Sequence, residues 1–322
     1  MKPLRNPGLW LALAFTAAVG AWPAITQSPS SREVTFTILM AVGLASSLNI
    51  LLGYAGYVSF GHIVFFGLGG YVGIYLVGVL NLPFFVAMIL AGLSSGLLAF
   101  LLGKALLRLR GAYFALATIG INEVARAFIN NFEPFGGPIG ITLNFQIYNN
   151  YGGAATALWM TYGTLVVVTL IVLFISYMVK SSKFGLALMA IRENENAAEV
   201  MGVVTPNAKT WAYVLSAVFP GMIGAIFFFK NGHIEPHDAF RLHMSIEWIV
   251  MVMLGGFGTV LGPLIGAAAY QRLRGLLLVS SLFKNIQLAV AGALLLLIIL
   301  FVPAGVVGWL RHRFTKLRRV LI

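Results

Sequence analysis

Cysteine is missing from this 322-residue chain, and aspartate occurs once, at Asp238. The first absence excludes disulfide staples, thiolate nucleophiles and cysteine metal sites; the second excludes an aspartyl dyad, which needs two. Charge is scarce too: 9% of residues are Asp, Glu, Lys or Arg, where a soluble domain carries roughly a quarter. A phosphate-cradling loop of the form G-x-x-x-x-G-K-[ST] is also lacking. The only Gly-Lys pair, Gly103-Lys104, is followed by Ala105, and Gly256 to Gly262 contains no lysine. This chain therefore does not hydrolyse ATP by that device. The net charge of +12 comes with no basic helix, zinc spacing or interleaved aromatics of the nucleic-acid kind, so no nucleic-acid partner is expected, and no cofactor or metal.

What fills the space is apolar sequence, 60% of the chain. Runs long enough for the roughly 20 residues that a helical crossing needs cover Leu9 to Ile25 and about 36–54, 58–80, 83–107, 112–131, 158–179, 209–230, 244–257, 259–282 and 286–303. The first follows Lys2 and Arg5 as a signal peptide would, but no small-x-small cleavage site precedes Gln27 to Arg32, so an uncleaved span is expected. The pair within 244–282 is weakened by Gly255, Gly256, Gly258, Gly262 and Pro263, which also fit one broken helix or a re-entrant hairpin. Lys and Arg collect on cytoplasmic loops. Here 14 of 21 lie at Lys2 and Arg5, at Lys104, Arg108 and Arg110, at Lys180, Lys183, Arg192 and Lys209, and at Arg311, Arg313, Lys316, Arg318 and Arg319. Alternating crossings put those four regions on one side only if the total is even. The expectation is an all-α polytopic membrane protein, a bundle of about ten transmembrane segments forming one domain over residues 1–322, with both termini cytoplasmic. Arg272, Arg274 and Lys284 fit this scheme poorly. Small-xxx-small spacings such as Gly69 to Gly73 and Gly92 to Gly96 suit close helix packing.

The longest polar interruption is 181–209, SSKFGLALMAIRENENAAEVMGVVTPNAK. From Leu186 to Met201 its propensity is helical, with Ile191, Ala198 and Met201 near one face and Glu195 and Glu199 on another. A short amphipathic helix along the membrane surface fits, either as a solvated elbow or as a docking element. A second segment, LNILLGYAGYVSFG over Leu48 to Gly61, brackets Ser59 with Gly53, Gly56 and Gly61. It reads either as a tight turn with His62 a structural histidine, or as a broken helix beside a polar pathway. A carboxylate near mid-span costs about 2.5–3.5 kcal/mol, so Asn122 and Glu123 are expected to face inward, with Arg126 at i+3 as partner.

Five segments in order resemble one family, the permeases of ABC importers for branched-chain amino acids. Phe184, Gly185, Ala190, Ile191, Arg192, Glu193, Glu195, Ala197, Ala198 and Gly202 match its coupling helix, although Leu186 and Met189 stand where arginine is frequent. Leu48 to Gly61 with His62 and Phe65 to Gly67, Leu109 to Arg126, Ser245 to Gly266 and Phe301 to Gly308 match further elements, with Tyr57 in place of the usual glutamine. The resemblance implies a bacterial inner-membrane subunit that performs no catalysis itself, working with two ATPases, a second homologous permease and a periplasmic binding protein. It also implies that the 184–202 helix couples to the ATPases. Asn49, Tyr57, Ser59, His62, Asn122 and Glu123 are the candidate pathway residues. Related permeases carry urea and other small amides, which keeps those substrates open.

Two other classes are weaker. His233, Glu235, His237 and Asp238 have the side chains of a zinc site, but Pro236 breaks the helix that would align them. An ion-driven transporter would show relays of intramembrane ionisable groups, and Glu123 alone offers little of that.

Overall fold

The computed structural model describes residues 7–279, 289–290, 292–293, 296–297 and 305–313. Helix α1 (Pro7–Thr26) returns as α2 (Pro29–Asn49) through Gln27 at φ +46°. The Ser28 hydroxyl accepts from Ser31 N, and Pro29 occupies the first turn, where its missing N–H costs nothing. Helices α3 (Ile63–Gly78), α4 (Phe84–Leu106), α5 (Ala112–Asn130) and α6 (Ala154–Ser181) follow. After the short helices α7 (Lys183–Glu193) and α8 (Glu195–Val200) come α9 (Thr205–Asn231), α10 (Pro236–Ala239), α11 (Leu242–Gly255), α12 (Leu261–Val279) and α13 (Gly305–Arg313). A two-stranded antiparallel pair, β1 (Ile141–Thr142) with β2 (His233–Ile234), ties the 131–153 connection to the end of α9.

Six described helices are long and apolar enough to cross a bilayer, α2 counting through Tyr54; α3 is apolar but shorter. The run expected over 58–80 becomes helical only at Ile63. Over 242–279 the chain is not one broken helix but has the form of the alternative, a helical hairpin. Its two helices, α11 and α12, pack against each other across Gly256–Val260. The last expected run, 286–303, falls largely outside the described residues, as do Lys2, Arg5, Lys284, Lys316, Arg318 and Arg319.

Glycines set the centre of the bundle. α3, α4 and α9 pack so closely that a Cβ on Gly69 would strike the backbone of Gly221, one on Gly73 would meet Ala225, and ones on Gly92 and Gly96 would meet Met222 and Val218. The two small-residue spacings seen in the sequence are thus the contact faces of α3 and α4 toward α9. Pro220 sits within α9 and cannot donate to the carbonyl four residues earlier. That carbonyl, Ser216 O, is satisfied from outside the helix by Ser47 Oγ at 2.9 Å and His62 Nε2 at 2.7 Å. Buried charge between α11 and α12 is also paired: Arg274 donates to Glu247 at 3.1 Å, and the Glu247 side chain is only 8% exposed. This explains the cation at Arg274 that charge counting left without a place.

Candidate functional site

The irregular backbone is concentrated around one place. α2 loosens into a π-turn over Ile50–Tyr54, residues 56–62 are non-helical, and α3 starts deep in the bundle. Non-helical backbone at membrane depth must be satisfied by protein or line a polar cavity. Here Phe60 N donates to Thr118 Oγ1 at 3.1 Å and Ile63 N to Ser245 Oγ at 3.0 Å. A second break, Gly256–Val260, is clasped by Asn49, whose Nδ2 donates to Thr259 O and whose Oδ1 accepts from Gly258 N, both at 3.0 Å. Lys180 adds a bond to Gly258 O at 2.6 Å.

The 181–209 segment closes over both breaks. Ser182 Oγ accepts from Gly185 N and starts α7; Asn194, extended at φ −160°, ends it, and its side chain accepts from Ala197 N to start α8. One helix was expected and two are present, because Asn194 competes for backbone donors as N-capping residues do. Gly185 is needed where it stands, since a Cβ would collide with Val179 O. Ile191 and Ala198 are buried as expected, and Phe184 packs partly against them; Met201, expected beside them, is 85% exposed. Ala190, Glu193 and Ala197 face outward, and Gly202 turns the chain at φ +89°. The Glu199 carboxylate accepts from Thr205 Oγ1.

Two charged side chains of this segment turn inward. Arg192 donates to Gly53 O at 2.8 Å and lies over the Phe257 ring. Glu195 receives Lys209 Nζ at 2.5 Å, Tyr57 Oη at 2.9 Å and Arg110 Nε at 3.1 Å. Burial raises the Glu195 carboxyl, but hydrogen bonds from Lys209 and Tyr57 and the charges of Lys209 and Arg110 outweigh it and hold the group below its ordinary value. Lys209, missed by sequence reading except as a topological charge, is 3% exposed. Only its position inside a long apolar helix pointed to it. A cleft of about 470 Å³ opens between the 55–60 stretch, the start of α5 and these helices.

The six pathway candidates do not form one cluster. Tyr57, Ser59 and His62 share the 56–62 stretch, Ser59 and His62 fully buried. His62 bonds the freed Ser216 carbonyl of α9 through Nε2, and Asn49 is consumed in the Gly258 clasp. Asn122 faces inward and donates to Phe240 O at 3.0 Å. Glu123 does not: it pairs with Arg126 at 2.8 Å on the opposite face of α5, the two being 49% and 41% exposed. The inner face is already taken by Phe114, Thr118 and Asn122. At the far end of the bundle, Glu235, His237 and Asp238 come within ligand distance of one another, yet Asp238 is held by Arg241.

Comparison with known proteins is consistent with these features. The family model described as "Branched-chain amino acid transport system / permease component" matches residues 31–299. The high-affinity branched-chain amino acid transport system permease protein LivM of Salmonella typhimurium is 29% identical, the match covering 94% of this chain and 75% of that protein. LivH of Escherichia coli, from the same kind of system, is 26% identical over 44% of this chain and 46% of its own length. The autoinducer 2 import system permease protein LsrC of Yersinia pestis is 23% identical over 86% of this chain and 70% of its own. No solved structure matches the chain.

Proposed function

Because this chain belongs to the family of permease components of branched-chain amino acid ABC transport systems, a non-catalytic, multi-pass membrane subunit of a larger complex, we propose how it works within such an importer. Its substrates are branched-chain or similarly small amino acids, and it works by alternating access in the bacterial inner membrane. Residues 1–322 act as one permease unit, and the 181–209 segment is its coupling loop. The importer holds two separate ATPases, and α7 and α8 dock into a cleft on one of them.

The observation that carries this reading is an apolar surface where none belongs. Leu186, Val200, Met201 and Val204 are 62%, 90%, 85% and 62% exposed on a segment outside the spans. Exposed apolar groups gathered on a polar side mark a protein-docking face, and this one is built on helices fixed to the bundle by Arg192 and Glu195.

The count in this reading is ten crossings, four more than the six long apolar helices described. α11 approaches the coupling side and α12 leaves it, while Gly305 of α13 lies against Gly256 on that side again. An even total of crossings places both termini in the cytoplasm. On α5, a half-exposed Glu123–Arg126 pair near mid-helix is too costly to face lipid. It faces the second, homologous permease instead, with Tyr113, Leu116, Val124 and Phe128 around it. The 131–153 cap, with Ile139 and Phe145 exposed on the far side, receives the binding protein that delivers substrate.

The test is reconstitution. Proteoliposomes holding this chain with its ATPases and companion permease are given binding protein and labelled leucine, with either ATP or an ion gradient as the only energy source. Uptake on ATP alone supports the reading; uptake on the gradient alone replaces it with a secondary transporter.

A further inference from the structure

The inward turn of Arg192 and Glu195 has a use that docking does not require. We infer that these two residues, with Lys209, are struts that join the α7–α8 elbow to the two broken stretches of the bundle, so that movement of the elbow positions the 56–62 segment. The inference rests on the importer reading above.

Arg192 is one strut. Its guanidinium reaches Gly53 O, the carbonyl inside the π-turn that ends α2. Its stem lies over Gly56, at φ +78°, and its Nη1 abuts Gly258, at φ +72°. A Cβ on Gly56 would come within 2.7 Å of Arg192 Cγ, and one on Gly258 within 2.7 Å of Nη1. Side chains are thus absent at the two places where the arginine must pass, and both breaks bear on one guanidinium.

Lys209 anchors the other strut. An ammonium has three donors, and its bonds run to three separate elements: Glu195 on α8 at 2.5 Å, Tyr57 in the broken segment at 3.0 Å and Leu107 O at the α4–α5 turn at 2.7 Å. Tyr57 Oη then donates to Glu195 at 2.9 Å, closing a ring, and its aromatic face packs edge-on with Phe114 of α5 at 5.1 Å. Any displacement of Glu195 therefore moves Tyr57 or breaks bonds in a buried site, and an unpaired charge left there is expensive. Asn194 separates the two struts, so α7 bears on the π-turn and the Gly258 break, and α8 on Tyr57.

This makes Lys209 a positioning residue for transport that touches neither substrate nor ATPase. Alone, Lys209→Met leaves Glu195 only Tyr57 and Arg110 and risks local rearrangement; the double variant Glu195→Leu/Lys209→Met removes both charges and keeps the volume apolar, a replacement that folds well elsewhere. The measurement is leucine uptake per ATP hydrolysed by the complete importer in proteoliposomes, normalised to assembled complex, with Lys209→Arg as the conservative rescue. The double variant is expected to assemble and hydrolyse ATP, while uptake per ATP falls about tenfold, within the 5–150-fold range of allosteric couplings. Lys209→Arg should recover part of it. Unchanged uptake per ATP in the double variant, or uptake and hydrolysis lost in equal proportion, overturns the struts while leaving the importer reading intact. Absence of ATP-driven uptake by the unaltered importer overturns both.

Discussion

The α3–α4–α9 seam and the α7–α8 elbow are held by opposite means. In the seam, Gly69, Gly73, Gly92 and Gly96 bring α3 and α4 against α9 with no charge at the contacts. In the elbow, the buried Leu188, Ile191 and Ala198 are supplemented by polar bonds to named atoms: Arg192 to Gly53 O, Glu195 to Lys209 and Tyr57, Asn194 to Ala197 N. Van der Waals packing of small residues is lost steeply with any separation, so the seam suits a part that stays put. A few directional bonds permit two discrete arrangements of rigid pieces, which is what a transmitted movement needs. On the proposed reading the seam is a fixed wall and the elbow a lever bearing on broken backbone.

That contrast breaks most severely in the seam. Gly69→Val pushes a side chain into the backbone of Gly221, so the loss should exceed the about 1–3 kcal/mol usual for overpacking, read as failure to recover monodisperse protein in detergent. Next comes the buried charge between α11 and α12. Glu247→Ala strands Arg274 at about 3–5 kcal/mol, seen as a lower melting temperature, whereas Glu247→Gln should lose less. On the lever the effect moves from stability to association. Met201→Glu should leave the melting temperature within the about 0.5 kcal/mol of an ordinary surface change, yet weaken capture of the ATPases by about 2 kcal/mol, as for an interface anchor.

The smallest effect is on pH. Glu195 lies below its ordinary value of 4.5, so the stability it contributes is fully present above that value and is lost as pH falls through the lower folded value. Protease resistance of the elbow should be flat from pH 7 to about 5 and decline only in stronger acid, and Glu195→Gln should abolish that decline.

The sequence disclosed features that depend on composition or local spacing. The membrane class, most of the apolar spans, the glycine faces of α3 and α4 and the buried side of α7–α8 at Ile191 and Ala198 were all legible in it. What it hid depends on contacts between distant residues. Nothing local says that Pro220 frees a carbonyl for His62, or that Asn49 clasps Gly258 rather than facing open space. Glu123 was placed inward by the cost of a charge in lipid. The helix turns it outward because Phe114, Thr118 and Asn122 already fill the inner face, and its charge is met there by Arg126. Lys209 was counted as a loop charge because span ends are blurred by several residues, and only the ring of Glu195, Tyr57 and Leu107 O reveals it as buried.

The central claim is that α7–α8 is the lever on which the ATPases act, and the lack of native cysteine makes it directly testable. A single cysteine at Ala197, in the assembled importer with a matching cysteine on the ATPase cleft, should crosslink specifically and with a yield that changes when ATP binds. No crosslink from any position between residues 190 and 201, in a complex that otherwise assembles, would contradict the account.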